Sequence, residues 1–169
     1  LAPLPTGLQT MAGTMFDVRG LIQLAGKNLF KETHMQGAER DAYYPQAVEG
    51  IPVGQEASRL HFLHATCWKA EPGTEIGAYT VHYADGESVR IPIKYMHSLK
   101  DWWIRPGEED VSDAEIAWAG QNDAAQRMYG SNLLFKYSWE NPRPGVEITS
   151  LGFSSQMTAA SPFLIAVTV

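Results

Sequence analysis

The chain has 169 residues, of which 44% are hydrophobic and 11% aromatic, enough for the core of one compact domain. Charged residues make up 19%, and a net charge of −6 without any run of basic residues excludes the basic surface of a nucleic-acid-binding protein. The single cysteine, Cys67, excludes an intrachain disulfide. Because the sequence starts at a leucine, we expect a processed protein or part of a longer one.

Turn residues divide the chain into short segments. Residues 1–13 are punctuated by proline and glycine and predict a linker or entry segment, followed by one domain over residues 14–169. Two-residue alternation then predicts eleven strands, at residues 15–18, 21–24, 47–53, 59–65, 76–84, 88–95, 102–105, 115–118, 133–138, 146–153 and 163–169. The last of these is the longest apolar run and is far too short to span a membrane. Helix is predicted only in short pieces, at residues 112–117 or at 121–128, where Ser112 or Asn122 would cap the first turn.

Many short strands separated by turns are typical of an antiparallel β-sandwich or barrel, so the predicted fold class is all-β. The clearest local signal is a hairpin in "YTVHYADGESVRIPIKY", where Asp85-Gly86 predicts a two-residue type I′ turn. That register places His82 opposite Val89, on an apolar face. A histidine there needs a hydrogen-bond partner, and His64 is a candidate.

The stretch "RLHFLHATCW" at residues 59–68 has the composition of a metal site, but its pattern is that of a strand. Side chains three apart in a strand point to opposite faces, so His61 and His64 cannot bind one metal ion. Cys67 lies roughly 20 Å beyond His61 along an extended chain. We therefore predict that these are core or second-layer residues. The alternative is a metal held by His64, His82 and a distant carboxylate.

Several stretches together resemble a known family. They are "VEGIPVGQEASRLHFLHATCW", "IGAYTVHYADGESVRIPI", "DWW", "WAGQN", "KYSWENPRPGVEITSLGF" and "SPFLIAVTV". The resemblance runs from about residue 16 to residue 169. As a set they are similar to the galactose-binding-like jelly-roll accessory domains of bacterial carbohydrate-active and cell-envelope proteins. The resemblance implies a jelly roll that binds sugars or acts as a spacer, secreted or held in the periplasm or cell envelope. The segment at residues 27–45 departs from the pattern and is interpreted as a loop insertion.

Sugar recognition needs an exposed aromatic ring for the C–H face of the sugar and polar side chains for its hydroxyls. The tryptophans near predicted strand ends and the polar residues beside them meet this requirement in composition. The predicted ligand-binding residues are therefore Trp102, Trp103, Trp118, Asn122, Trp139, Glu140 and Asn141. The alternative is that these rings and the "WENP" turn close the ends of the sandwich, with Glu140 and Asn141 bonding loop backbone.

The acidic loop "GEEDVSDAE" at residues 107–115 raises the possibility of a structural calcium ion, although it lacks EF-hand spacing, and a solvated loop is the simpler interpretation. No cofactor is otherwise expected. Motifs of common hydrolases and nucleotide-binding enzymes are absent from the sequence. A carboxylate pair drawn from Asp101, Glu140 and Glu147, or a metal site of His61, His82 and His97, are the enzymatic alternatives.

Three functions therefore remain open. The leading prediction is a non-catalytic carbohydrate-binding or accessory module of a larger extracellular bacterial protein, with polysaccharide or oligosaccharide and neighbouring domains as partners. The second is a structural spacer without a ligand. The third is a small metal-dependent or carboxylate enzyme acting on polysaccharide.

Overall fold

The computed structural model describes residues 4–33, 37–104, 107, 111–127 and 130–169. Within these residues the elements, in chain order, are β1 (Gly7–Met11), β2 (Thr14–Val18), β3 (Ile22–Gln23), α1 (Lys27–Thr33), α2 (Gly37–Tyr43), β4 (Ala47–Gln55), β5 (Arg59–Cys67), β6 (Glu75–Tyr83), β7 (Ser88–Lys94), β8 (Trp103–Ile104), β9 (Ala114–Gly120), α3 (Asp123–Arg127), β10 (Ser131–Glu140), β11 (Ile148–Ser155) and β12 (Ser161–Thr168). Each of the eleven predicted strands corresponds to one of β2 to β12, and the segment at residues 112–117 is part of a strand rather than a helix.

The strands form an antiparallel β-sandwich, which confirms the predicted fold class. One layer, the six-strand sheet, has the order β3-β12-β5-β10-β8, with β9 also paired to β10. The other layer, the four-strand sheet, has the order β4-β11-β6-β7. β1 and β2 form a separate hairpin, and every paired strand in the two sheets is antiparallel to its neighbour.

A stack of aromatic rings joins the inner faces of the two sheets. Phe62 of β5 lies against Tyr79 of β6, with ring centroids 4.1 Å apart and planes inclined by 14°. Tyr79 in turn contacts Phe153 of β11 at 4.9 Å. These three side chains are almost completely buried. Burial of each ring stabilises the fold by about 1.5–3 kcal/mol, so this stack is a principal contact between the layers.

β5 is extended throughout, and its side chains alternate between the two faces of the six-strand sheet. Phe62 and His64 point between the layers, where both rings stack with Tyr79. His61 lies on the outer face, where its Nδ1 is 2.7 Å from the hydroxyl of Ser138 on β10. The prediction that His61 and His64 occupy opposite faces is therefore confirmed.

The β6–β7 hairpin has a register one residue away from the predicted one. Val81 rather than His82 pairs with Val89, and the loop has three residues with Gly86 in the left-handed region at φ 88°. The carboxylate of Asp85 accepts a hydrogen bond from the amide of Glu87, which stabilises the longer loop. A shift of one residue exchanges the faces of a strand.

His82 consequently points outward from the four-strand sheet, where its Nε2 lies 3.6 Å from the carboxylate of Glu49. The predicted apolar placement of His82 was wrong. The suggested contact with His64 is also wrong, because His64 lies between the layers and bonds to Tyr79 and to the carbonyl of Ser98.

The β1–β2 hairpin lies against the outer face of the six-strand sheet. Its Phe16 and Val18 are buried in the main core cluster. Lys136 of β10 donates to the carbonyl of Ala12 in the hairpin turn and pairs with Glu115 at 2.6 Å. Part of the predicted entry segment is therefore a strand packed on the domain.

Two helices occupy most of the segment interpreted as a loop insertion. α1 and α2 lie on either side of residues 34–36, which are outside the described part of the chain. α1 buries Leu29 and contacts β12. α3 begins after Asn122, whose side-chain oxygen accepts a hydrogen bond from the amide of Ala125 at 2.8 Å, so the predicted cap is confirmed.

Candidate functional site

β5 and β10 are paired over only part of their length, and a separate segment lies between them where they diverge. This wedge segment comprises residues 100–104. On one side the carbonyl of Thr66 accepts a hydrogen bond from the amide of Trp102 at 2.8 Å. On the other side the carbonyl of Trp102 accepts one from the amide of Leu133 at 2.6 Å. The backbone of Trp102 is therefore held from both sides.

Trp102 lines a shallow depression on the outer face of the six-strand sheet. The depression has a volume of about 130 Å³ and is lined by Leu21, Gln23, Cys67, Trp102 and Phe163. The indole of Trp102 meets the ring of Phe163 edge to face, at 6.3 Å and 80°. Leu21 remains 47% exposed at its margin. We call this feature the Trp102 depression, and its walls are mainly apolar.

The polar group in the wall of the Trp102 depression is the amide of Gln23. Its nitrogen donates to the carbonyls of Leu24 and Ser161 at 3.2 and 3.1 Å. Its oxygen accepts a weak hydrogen bond from the thiol of Cys67, with an Sγ to Oε1 distance of 3.8 Å. A further contact of the nitrogen with the carbonyl of Pro162, at 3.4 Å, completes the set that fixes the orientation of the amide.

Cys67 contributes a largely buried thiol to the wall of the Trp102 depression. Its burial, with a smaller contribution from the nearby carboxylates of Asp101 and Glu32, raises the pKa of its thiol to about 12. Nucleophilic attack by cysteine uses the thiolate form. At neutral pH the thiol therefore stays protonated.

Trp68, directly after β5, has an unusual backbone conformation. Its φ is 64°, in the left-handed region that large side chains rarely occupy. Its indole nitrogen donates to a carboxylate oxygen of Glu32 on α1 at 3.2 Å. Strained residues of this kind are often found at functional sites. This contact holds the carboxylate of Glu32 close to the Cys67 end of β5.

Three other predicted site residues lie near the same end of β10 as the wedge segment. Trp103 pairs with Asn132, and its indole covers Gly130. Trp118 packs over Gly120 in its own strand, and Asn122 caps α3. Trp103, Trp118 and Asn122 therefore each pack against or bond to another part of the protein.

The remaining predicted residues lie at the opposite end of β10. Trp139 pairs with Leu60 and packs against the core. Glu140 pairs with Arg59, whose Nε lies 2.7 Å from Oε1. Asn141 is buried, accepts a hydrogen bond from Tyr83 and donates to backbone carbonyls. The side chains of Glu140 and Asn141 are therefore both bonded to other parts of the fold.

The seven predicted residues consequently do not share one surface. Trp139 lies seven residues along β10 from Asn132, the partner of Trp103, which corresponds to about 23 Å. Of the seven, only Trp102 lines the Trp102 depression. Whether any of the others contacts a ligand stays a prediction.

Two of the three carboxylates in the enzymatic alternative, Asp101 and Glu140, are widely separated, whereas a pair that includes Glu147 stays a prediction. Asp101 is bridged to Thr66, whereas Glu140 is paired with Arg59. Thr66 and Arg59 are seven residues apart on β5, so the backbone positions of Asp101 and Glu140 are separated by about 23 Å. Paired carboxylates in glycosidases are about 5–9.5 Å apart. Asp101 and Glu140 therefore cannot act together in one molecule.

The histidines proposed for a metal site lie on different parts of the sandwich. His61 is on the outer face of the six-strand sheet, and His82 is on the outer face of the four-strand sheet. Nδ1 of His97 contacts both the hydroxyl of Ser112 at 3.1 Å and the carboxylate of Asp113 at 3.4 Å. In a catalytic triad the hydroxyl and the carboxylate contact opposite nitrogens of the histidine ring, so His97, Ser112 and Asp113 do not have that arrangement. Within the described residues, no three His, Cys, Asp or Glu side chains form a group that could hold a metal ion.

A second, larger depression lies at the same end of the sandwich. It has a volume of about 380 Å³, and its walls include Lys69, Pro72, Tyr95, Met96 and Lys100. Tyr95 is only 4% exposed, so its ring offers no face for stacking. An aromatic surface is therefore found in the Trp102 depression and not in this larger one.

No family model matches this chain, and no curated protein matches it either. The functional argument therefore depends on the geometry of the site. No helix in the described part of the chain is long and apolar enough to span a bilayer.

The prediction from sequence missed most of the residues in the Trp102 depression. Leu21, Gln23 and Phe163 come from β12 and from the β3 region, and no local pattern marks them as a group. Trp68 was also missed, although its position directly after a buried strand placed it beside the site. Its left-handed conformation has no signal in the sequence.

Proposed function

We propose that this chain is a non-catalytic, carbohydrate-binding accessory module of a larger extracellular bacterial protein. The Trp102 depression is the proposed sugar-binding surface. The observation that supports this most directly is Trp102 itself, which is only partly buried and lines an apolar, concave wall. Its backbone is held by hydrogen bonds on both sides, and its indole contacts the ring of Phe163. A fixed aromatic ring is what the C–H face of a pyranose needs for stacking.

The polar groups around the depression are also appropriate for a sugar. The amide of Gln23 lies in the wall. The carboxylate of Glu32 is held by Trp68, the residue that follows Cys67 of the wall. Amide and carboxylate oxygens accept hydrogen bonds from sugar hydroxyls. The likeness to galactose-binding-like jelly rolls adds support from sequence, and location in the periplasm, on the cell envelope or outside the cell belongs to the same proposal. Residues 108–110 of the acidic loop are outside the described part of the chain, so a structural calcium ion there stays a prediction.

The test is binding to a broad panel of plant and microbial polysaccharides, by affinity electrophoresis followed by calorimetry. Trp102→Ala should weaken binding at least about tenfold, equivalent to about 1.4 kcal/mol. Trp102→Phe retains an aromatic face and should keep most of the affinity. Trp139→Ala, at the far end of β10, is the matched control and should bind like the unaltered protein. Equal binding by the Trp102→Ala and Trp139→Ala variants would refute the proposed surface.

A spacer module without a ligand is the second candidate. It is favoured by the internal contacts of Asn122, Glu140 and Asn141, which serve the fold. For a spacer, tryptophan fluorescence should be unchanged by every glycan in the panel. A spectral change that is lost in Trp102→Ala would exclude this alternative.

A further inference from the structure

We infer that the Trp102 depression binds neutral sugars and discriminates against sugars that carry carboxylate groups. This inference rests on the proposed function and specifies its ligand class. It follows from the charges around the depression.

Among the residues that the structure describes, none of those in the wall of the depression carries a charged side chain. Its residues are Leu21, Gln23, Cys67, Trp102 and Phe163, and the polar ones among them are neutral. No wall residue can therefore form an ion pair with a uronic acid. A ligand carboxylate would lose water without gaining a charged partner, which is unfavourable.

Two carboxylates lie beside this surface. Asp101 directly precedes Trp102 and is bridged to Thr66. Glu32 accepts a hydrogen bond from Trp68, the residue after Cys67. The carboxylates of Glu32 and Asp101 both influence the thiol of Cys67, which lies in the wall. Two negative groups therefore lie next to the proposed binding position.

These carboxylates have opposite effects on the two ligand classes. Toward a neutral sugar, a fixed carboxylate is a strong acceptor for hydroxyl groups. Toward a uronate, each unit charge about 5 Å away in water weakens binding about fourfold. Because both groups have the same sign, their effects combine, and salt reduces them.

The experiment compares polymers that differ only at the carboxyl group. Polygalacturonate and its carboxyl-reduced counterpart form one such pair, and alginate and its reduced form a second, used beside the neutral panel. In calorimetry at low salt, the neutral partner should bind at least about fourfold more tightly than the acidic one. The difference should narrow at about 0.5 M salt.

Variants at Glu32 test the cause of this discrimination. Glu32→Gln keeps an oxygen acceptor for Trp68 but removes the charge, so it should reduce the difference in affinity between neutral and acidic polymers. Glu32→Lys should reduce this difference in affinity further or reverse it. Stronger binding of the acidic polymers by the unaltered protein would overturn the inference and leave the proposed function standing. Discrimination that is unchanged in both variants would also overturn it, and no binding to any polymer would overturn both.

Discussion

Substitution of the buried His64 by glutamine should remove a large part of the pH dependence of stability. The ring is fully buried between the sheets. Its Nε2 donates to the carbonyl of Ser98 at 2.9 Å, so its Nδ1 accepts from the hydroxyl of Tyr79, also at 2.9 Å. The neutral ring satisfies both partners, and burial disfavours the charged form. This lowers the pKa of His64 to about 4.

The sign and size of the effect follow from the pKa in the folded and unfolded states. In the unfolded chain, the pKa is about 6.5. Between pH 6.5 and pH 4, the unfolded chain binds a proton that the folded protein does not, so the free energy of unfolding falls as pH falls. The stabilisation is present above the unfolded pKa. At about pH 5 the His64 contribution should be about 2 kcal/mol lower than at about pH 7.5.

The assay is urea denaturation followed by tryptophan fluorescence between about pH 5 and about pH 7.5. His64→Gln should be less stable than the unaltered protein near pH 7.5, by about 1–2 kcal/mol, because glutamine fits the two partners less well. Its stability should fall about 2 kcal/mol less on acidification. Other titrating groups, including His61, are common to both proteins and cancel in the comparison. Parallel pH profiles for the two proteins would refute the reasoning.

Two further substitutions test the packing of the sandwich. Gly77→Ala should lower the free energy of unfolding by at least about 2 kcal/mol, because the new Cβ would lie 2.6 Å from the carbonyl oxygen of Ser154. The control is Gly145→Ala, which has open space around it and should change stability little. Equal urea midpoints for the two variants would contradict this. Asn141→Ala should lower the free energy of unfolding by about 2–4 kcal/mol, because the hydroxyl of Tyr83 and the carbonyl of Ala57 lose their hydrogen-bond partner. Asn141→Asp should recover part of this stability, because its carboxylate still accepts a hydrogen bond from Tyr83. A neutral effect of Asn141→Ala in the same assay would show that water replaces these contacts.

The strands of this protein could be predicted from local pattern. Alternating apolar residues between turn residues mark the β-strands, and the extension of β5 already separated His61 from His64. The strand β1 was missed because its proline- and glycine-rich surroundings have the composition of a linker. α1 and α2 were missed because each is only seven residues long. So short a helix is stabilised mainly by its tertiary contacts.

The register of the β6–β7 hairpin needed information from outside the hairpin. Asp85-Gly86 is compatible with a two-residue loop and with the three-residue loop that forms. The carboxylate of Asp85 bonds the amide of Glu87 and also pairs with Arg143, which lies 58 residues away. This distant contact favours the longer loop, and the choice reverses the face on which His82 lies.

The sequence by itself determined the fold class, the strands β2 to β12 and the division of the β5 histidines between two faces, because these depend on neighbours a few residues apart. Tertiary structure decided the candidate site. Leu21, Cys67, Trp102 and Phe163 meet only because the wedge segment enters between β5 and β10 while β12 pairs on the other side of β5. A surface assembled from separate strands depends on sheet order and register, which no local pattern encodes.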